Sequence, residues 1–340
     1  MPPPPDLSSY RLSPEDSQQI FTAEILPAEF HNLPPQHVSS TASASPPLAI
    51  LAVGQTGAGK TRLSPAILSA FHLVRDGASS PGPAHLIADT YKTYHPEYTR
   101  LMLSTPQLAS PATGPDARKW LAMASREVTR RKLDVLLESA CRHPDDFVDL
   151  VRIFSGAGYR VEVVLLAVPA ALSRLGILVR YYERLPEGQS RNLPVRLTPG
   201  KVHDDSYAGL LDAARFLDES GLADQVLVVR RGNQVALGVV KQQDGKMAGG
   251  SGSIADALER ERERLLTKEE MKTALDDIQK LGMHEDAREQ VGVVRAMLQP
   301  LISGDDKSEQ RGWPELRPLT FGKVGEESGG TYNVLRLGQL

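Results

Sequence analysis

The chain has 340 residues, of which 41% are hydrophobic and 24% are charged, and its formal net charge is -3. These values are ordinary for a globular protein and leave room for one large α/β domain with additions or for two modest domains. The small negative charge excludes a general polyanion binder, so no nucleic-acid partner is expected.

Cysteine content and apolar runs narrow the class further. Cys141 is the only cysteine, which excludes an internal disulfide framework and a cysteine-based zinc site. The longest apolar runs, Leu48–Val53 and Val163–Val168, have the length of strands and fall far short of a membrane span. The first residues also lack the pattern of a signal peptide. We therefore predict a cytoplasmic protein with no membrane partner.

Proline divides the N-terminal region. Residues 1–9, which begin Met-Pro-Pro-Pro-Pro, are predicted to be disordered because polyproline makes no core. Ser13 is then expected to cap a helix that ends at Pro27. A polar linker, Pro34–Pro47, leads to the apolar run Leu48–Val53, which is predicted to be a strand.

A glycine-rich loop with the pattern G-x-x-x-x-G-K-T follows that strand at once. It is predicted to bind nucleotide phosphates through Gly54, Gln55, Thr56, Gly57, Ala58, Gly59, Lys60 and Thr61. In such a loop the backbone N–H groups and the positive end of the next helix hold the phosphate oxygens. A chance match is the alternative, but the strand before the loop and the helix after it favour a true phosphate loop.

Individual residues of this phosphate loop (Gly54–Thr61) have separate expected roles. Lys60 can reach the terminal phosphates as a point charge, and the Thr61 hydroxyl can bind Mg²⁺. Gly57 and Gly59 are expected to let the main chain approach the phosphates because they carry no Cβ.

Strands and helices then alternate along the chain. Strands are predicted at His85–Asp89, Asp134–Glu138, Arg160–Val168 and Gln225–Arg230, the last in a hairpin with Gln234–Val240. This alternation predicts βαβ units and a mainly parallel α/β sheet, in which ligands bind at the carboxyl ends of the strands. We expect Gly54, Asp89 and Glu138 to meet at that edge.

Polar segments are expected to be loops or solvated faces. A polar insertion is predicted over Ser104–Pro115, ahead of a helix over about Trp120–Arg131. From Asp244 onward charged helices dominate, and the run Glu259–Arg264 is predicted to be a solvated helix face. The expected organisation is an α/β domain over residues 10–240, a helical extension over 241–302 and a loosely ordered tail over 303–340.

Several sequence blocks follow the phosphate loop in a fixed order. They are Asp89-Thr-Tyr-Lys-Thr-Tyr-His95-Pro96, Gly158-Tyr-Arg-Val-Glu, Ala167-Val-Pro169, Arg180-Tyr-Tyr-Glu183 and Arg196-Leu-Thr-Pro-Gly-Lys-Val-His203-Asp204. Together with the loop they resemble the zeta toxin family of P-loop kinases, over roughly residues 10–230. The resemblance implies an adenylate-kinase-like P-loop NTPase core, ATP and Mg²⁺ as cofactors, and phosphorylation of UDP-N-acetylglucosamine on the sugar. A toxin role would further imply an antitoxin-like protein partner.

The resemblance also implies roles for single residues. Lys60 would neutralise the β- and γ-phosphates, Asp89 would be the general base, and Arg180 and Arg196 would clamp the transferring phosphoryl group. Phosphoryl transfer depends on alignment and positive charge, so these residue types suit it. Without the resemblance, Asp89 would be read as a cap of the next turn and each arginine as surface charge.

The acceptor side of the family pattern is only partly present. Glu138 and Arg142 match substrate-side residues of the family, whereas Ala140 replaces a threonine and Ala122 replaces a glutamate that faces the sugar nucleotide. Ile87 replaces a carboxylate two residues before the base. Lost hydrogen-bonding partners disfavour the original substrate. The acceptor is therefore open between UDP-N-acetylglucosamine and another small molecule, such as a nucleotide or an antibiotic.

Three further side chains have two interpretations each. His95, in the Asp89 block, is a candidate substrate residue, although a structural or supporting position is favoured, as it is for His203. Cys141 is interpreted as a packing residue, because the sequence establishes no cysteine–histidine arrangement for a nucleophile. For the whole chain, a non-catalytic ATP-binding regulator is the alternative to a kinase.

Overall fold

The computed structural model describes residues 6–34, 46–76, 82–190, 195–242, 247–249, 252–302, 313–322 and 332–339. Of the segment 1–9, for which disorder is predicted, residues 1–5 lie outside the described residues, and Ser8–Tyr10 form a 3-10 helix. Most of the predicted linker Pro34–Pro47 lies outside the described residues.

One sheet with a mainly parallel core organises the chain. The strands are Leu48–Val53 (β1), Ala84–Ile87 (β2), Val135–Ser139 (β3), Arg160–Leu166 (β4), Gln225–Arg230 (β5), Gln234–Lys241 (β6), Met247–Gly249 (β7), Arg317–Pro318 (β8), Thr320–Phe321 (β9) and Val334–Leu335 (β10). The sheet has the order β2-β3-β1-β4-β5-β6-β7, and β8 pairs with β6. The neighbouring strands β2, β3, β1, β4 and β5 run parallel to one another. The strand β6 runs antiparallel to both of its neighbours, β5 and β7. The predicted parallel sheet and the hairpin after β5 are confirmed.

Helices cover both faces of this sheet. They are Pro14–Ile20 (α1), Leu26–Phe30 (α2), Lys60–Phe71 (α3), Tyr98–Ser104 (α4), Pro106–Arg131 (α5), Pro144–Gly156 (α6), Ala170–Ser190 (α7), Gly200–Ser220 (α8), Ile254–Glu263 (α9), Lys268–Leu281 (α10) and Arg288–Ile302 (α11). One core contains α5, α6, α8, α9 and the N-terminal helices, and the other contains α3, α7, α10 and α11. Because β1 is buried on both faces, its sequence is continuously apolar.

The N-terminal helix continues past the predicted stop at Pro27. A π-helical turn, Phe21–Ile25, follows α1, and α2 carries the helix on to Phe30. Pro27 lies in the first turn of α2, where a missing N–H is tolerated.

The predicted polar insertion Ser104–Pro115 is wrong. The helix α5 begins within it and runs for 26 residues. Pro106 occupies the first turn, a position that proline favours. Ala109 and Ala112 are buried in a small core with Leu101 of α4, and this packing outweighs the low helix propensity of the segment.

The charged run Glu259–Arg264 is predicted to be a solvated helix face. This prediction is wrong for the two residues at the centre of the run. Glu261 and Arg262 are buried. The carbonyl oxygen of Glu261 accepts a hydrogen bond from Arg230, whose guanidinium also donates to Glu270 at 2.7 and 3.2 Å. Arg230 is fully buried at the end of β5, so these partners are needed to offset its desolvation. This ionic cluster attaches α9 and α10 to the sheet.

The tail predicted to be loosely ordered over 303–340 is ordered where the structure describes it. Residues 332–339, named the tail segment, include β10, which pairs with β9. Glu162 of β4 is fully buried and accepts the N–H groups of Leu337 and Gly338, each at 2.9 Å. Polar composition gives no indication of this contact, because the partner of Leu337 is one carboxylate 175 residues away.

We expect Glu162→Gln to destabilise the protein. The second oxygen of Glu162 also accepts from Arg160, and an amide would replace one acceptor by a donor. A buried group left without a partner costs about 1–3 kcal/mol, and more when charged. The melting temperature should fall by roughly 1–4 °C, whereas Glu263→Gln, at an exposed position of α9, should leave it unchanged. Equal melting temperatures for the two variants would contradict this expectation.

Candidate active site

The phosphate loop connects the carboxyl end of β1 to α3. Gly59 has a φ of 103°, and a Cβ at this residue would meet no atom within 4 Å, so the loop is open here. The helix α3 begins at Lys60, and its first N–H groups have no intrahelical partner. The Thr61 hydroxyl lies at an exposed position of the same turn. Open backbone beside a helix N-terminus fits the phosphates of ATP.

Gly57 has a packing role that the sequence does not indicate, beside the expected role in phosphate approach. Its φ is 82°, and a Cβ would lie 2.0 Å from the carbonyl oxygen of Ser173 on α7. A Cβ at Gly54 would lie 2.8 Å from the Cβ of Leu166. These glycines therefore allow the loop to pack closely on β4 and α7.

The first residues of the loop form hydrogen bonds with other parts of the protein. Gln55 is fully buried and donates from Nε2 to the carbonyl oxygen of Val168 at 2.6 Å. The N–H of Thr56 donates to the Ser206 hydroxyl at 3.2 Å, and the N–H of Ala58 donates to the Gln55 carbonyl at 3.0 Å. The amide nitrogen of the Gln55 side chain is therefore occupied by protein partners.

Lys60 lies across the loop and donates to the Gly54 carbonyl oxygen. Burial lowers the pKa of Lys60 to about 8, although the charges of Asp89 and Glu138 raise it. The like charge of Arg180 lowers it further. The structure thus brings Lys60, Asp89, Glu138 and Arg180 within electrostatic reach of one another.

We expect the affinity for ATP to fall as the pH rises above about 8. With a pKa of about 8, the ligand-free protein carries a charged Lys60 below that pH and a neutral Lys60 above it. Phosphates prefer the charged form, so the Kd should rise by up to about tenfold per pH unit above the pKa. Calorimetric titration across this range checks the slope. Lys60→Arg, whose charge does not titrate, should give a flat profile; a flat wild-type profile would contradict the expectation.

Asp89 lies at the start of the 3-10 helix Thr90–Tyr94, just after β2. Its exposed carboxylate accepts a hydrogen bond from Lys92 at 2.5 Å. The Lys92 ammonium lowers the pKa of Asp89, and the charges of Lys60 and Arg180 act in the same direction. The carboxylate is therefore ionised. Sequence reasoning missed Lys92, although its spacing of three residues from Asp89 could have indicated it.

Arg180 and Arg196 approach this carboxylate from α7 and from the segment before α8. Burial lowers the pKa of both guanidinium groups, whereas attraction to Asp89 raises it. Arg180 donates to the Thr198 hydroxyl at 3.3 Å. The Nη1 of Arg196 is buried and has no hydrogen-bond partner among the described residues. A buried donor without a partner suits an anionic ligand.

Glu138 and Arg142, the predicted substrate residues, both have protein partners. Glu138 is buried at the carboxyl end of β3, with Oε1 2.9 Å from Nε2 of His85. Burial raises the pKa of Glu138, but hydrogen bonds from His85 and Ser64 outweigh it and lower the pKa. Arg142 pairs with Asp205 of α8 at 3.2 Å. An acceptor that binds here must compete with these pairs.

His95 and Cys141 are integrated into the fold. His95 is buried, with Nε2 3.0 Å from the Tyr10 carbonyl oxygen and Nδ1 accepting from the N–H of Glu97. Direct contact of His95 with substrate would require one of these bonds to break. Cys141 is buried with Sγ 3.4 Å from the Gly209 carbonyl oxygen, and burial raises the pKa of its thiol to about 12. This environment suits packing rather than nucleophilic attack.

Two residues that sequence reasoning missed contact the phosphate loop from distant positions. The Ser206 hydroxyl accepts from Thr56, 150 residues earlier. Arg231 donates to the Gly57 carbonyl oxygen, 174 residues earlier. No local pattern indicates either contact, because both depend on how α8 and the β5–β6 turn pack against the loop.

The strand, phosphate loop and helix, with a carboxylate and arginines at the same sheet edge, define an adenylate-kinase-like P-loop phosphotransferase. Among the described residues, no helix has the length and apolar character needed to cross a membrane. The family model for Zeta toxin matches residues 36–239, so the chain belongs to the zeta toxin family. It is an ATP-dependent kinase by that membership.

Individual relatives agree with this assignment. Toxin zeta of Enterococcus hirae is 26% identical over 75% of this chain and 84% of its own length. Toxin PezT of Streptococcus pneumoniae serotype 4 is 25% identical over 56% of this chain and 70% of its own length. A solved structure from the PezAT chromosomal toxin-antitoxin system of Streptococcus pneumoniae has a similar fold, with a TM-score of 0.59 at 19% identity. That match covers 80% of this chain and 98% of the other.

Proposed function

We propose that the chain transfers the γ-phosphate of ATP to a hydroxyl group of a small molecule, with Mg²⁺ as cofactor. The observation that carries this proposal is the grouping of Lys60, Asp89 and Arg180: both cations lower the pKa of Asp89, and Asp89 raises the pKa of both cations. A carboxylate facing cations beside a phosphate loop can orient a nucleophile while the cations stabilise the charge on the phosphoryl oxygens.

Each residue has one role in the proposed mechanism. Asp89 accepts a hydrogen bond from the attacking hydroxyl and takes its proton. Lys60 balances the charge on the β- and γ-phosphates, and Arg180 and Arg196 balance the charge on the transferring group. The Thr61 hydroxyl would hold Mg²⁺, which supplies further positive charge when it is bound. Because positioning and electrostatics dominate this reaction, an ionised Asp89 of low pKa suits the role.

The proposed acceptor is UDP-N-acetylglucosamine by kinship, held by Glu138 and Arg142. A different nucleotide, an antibiotic or another small molecule is the second candidate. It is favoured by Ala140 and Ala122, which offer no hydrogen-bonding side chain where relatives offer one. An acceptor with fewer polar contacts at these positions would lose less by this change.

An acceptor panel tests both candidates. The protein is incubated with ATP, Mg²⁺ and one acceptor at a time, and the acceptor is then examined by mass spectrometry for the gain of one phosphate. Asp89→Asn protein is the matched control. A gain with wild-type protein and none with the variant would support the kinase and identify the acceptor. A gain of the same size with both proteins would contradict the role of Asp89.

The membership of the chain in a kinase family disfavours the alternative of a non-catalytic ATP-binding regulator. In both cases we propose a cytoplasmic location and an antitoxin-like protein partner, since the PezAT relative is described as a toxin-antitoxin system. ATP binding without phosphate transfer or hydrolysis, with every acceptor of the panel, would favour the regulator.

A further inference from the structure

The turn between β5 and β6 contacts both the phosphate loop and the C-terminal helices. Arg230, the last residue of β5, pairs with Glu270 of α10 at 2.7 Å. The next residue, Arg231, donates from Nη2 to the carbonyl oxygens of Gly57 and Leu172, both at 2.8 Å. Two adjacent arginines therefore connect α10 to the loop that is built to hold the phosphates of ATP.

The hydrogen bond to Gly57 constrains the geometry of the loop. The peptide unit from Gly57 to Ala58 is planar, so fixing its oxygen also fixes the direction of the Ala58 N–H. That N–H closes the turn to the Gln55 carbonyl at 3.0 Å. Glycine has little conformational preference of its own. Arg231 thus supplies a constraint that the loop sequence lacks.

The helix α7 leaves space for this contact. A Cβ at Gly176 would lie 2.7 Å from the Nη2 of Arg231 and 2.7 Å from the Gly57 carbonyl oxygen. Burial lowers the pKa of Arg231 to about 10, and the charge of Arg62 lowers it further, whereas Asp277 and Glu270 raise it. Both of these acids belong to α10, so that helix stabilises the charged arginine at the loop.

We propose that Arg231 is a positioning residue for the phosphate loop, and that α10 supports ATP binding through it. Arg231 acts on the backbone of Gly57, and its effect reaches the nucleotide through the loop. This proposal rests on the proposed function only in that ATP binds at the phosphate loop; it is independent of the acceptor.

Calorimetric titration with ATP tests the proposal, together with melting temperatures measured with and without saturating ATP. Arg231→Gln should raise the Kd for ATP by about tenfold, the effect of losing a charged hydrogen-bond donor. Arg231→Lys should raise it less, because one ammonium can donate to one of the two carbonyl groups. Gly176→Ala should also raise it, although alanine is the better helix former. Arg288→Gln, an exposed arginine of α11, is the control.

The two readouts separate positioning from a merely structural role. A structural role would lower the melting temperature without ATP but leave the Kd and the ATP-induced rise unchanged. That result for Arg231→Lys and Gly176→Ala would overturn the proposal, even if Arg231→Gln fails to fold.

Asp277→Asn tests the contribution of α10, because it removes a charge that stabilises Arg231 and leaves the buried pair of Glu270 with Arg230 intact. A severalfold rise in the Kd is expected, and an unchanged Kd would overturn that contribution. These titrations contain no acceptor. An unchanged Kd in any of the variants therefore cannot result from a wrong choice of acceptor.

Discussion

Asp89→Asn protein should bind ATP normally and transfer almost none of its phosphate. Asparagine has nearly the same shape as aspartate but cannot take the proton of the attacking hydroxyl. Loss of a general base costs about 10²- to 10⁴-fold in kcat. The Kd for ATP should stay the same or fall, because the variant lacks a negative charge near Lys60 and the phosphates. Turnover of the identified acceptor and calorimetric titration with ATP measure the two effects.

The control for this prediction is Asp276→Asn on α10, an exposed aspartate that pairs with Lys272. It should leave both kcat and the Kd unchanged. If Asp89→Asn retained more than a small fraction of wild-type turnover, Asp89 would not be the base. Lys92→Met offers an independent check, since it should raise the pKa of Asp89 and move the acidic limb of the pH profile upward.

Arg196→Lys should have the second large effect. The Arg196 side chain is partly buried, and its Nη1 has no hydrogen-bond partner among the described residues. Lysine keeps the positive charge but cannot present the planar pair of donors that matches phosphate oxygens. Arginines in this role contribute about 10³- to 10⁵-fold to kcat. We expect at least a hundredfold loss of kcat and a change in the Kd for ATP that is much smaller.

Arg215→Lys, at an exposed position of α8, is the matched control and should be unchanged. Arg180→Lys should also lower kcat strongly and change the Kd for ATP much less. If both arginines act on one transferring group, the double variant should lose less than the product of the single losses. A loss confined to the Kd for ATP would assign Arg196 to ground-state binding instead.

The sequence predicts where the fold places the donor-side residues for two physical reasons. The phosphate loop is local, so its strand, turn and helix follow from about fourteen consecutive residues. Asp89 and Glu138 could be placed at the same sheet edge because the carboxyl ends of parallel strands coincide. The register of β2 and β3 agrees with this placement, since Ile87, two residues before Asp89, lies opposite Glu138.

What the sequence does not predict depends on packing between distant segments. The start of α5 was missed because serine, proline and glycine there indicate a loop, while the buried faces of Ala109 and Ala112 become apparent only in the fold. Arg231 was missed because its partners, Gly57 and Leu172, belong to other elements. The same limit applies to the acceptor, whose contacts must be made by side chains from several elements at once.

The bond between Glu162 and the tail segment has a consequence for synthesis. On the ribosome, β4 emerges long before Leu337 and Gly338, and until they appear its buried carboxylate lacks these two donors. Chains fold by domains as they emerge, and contacts between residues so distant in sequence form slowly. The nascent chain therefore completes the hydrogen bonds of the Glu162 carboxylate only after residues 337–338 have left the exit tunnel.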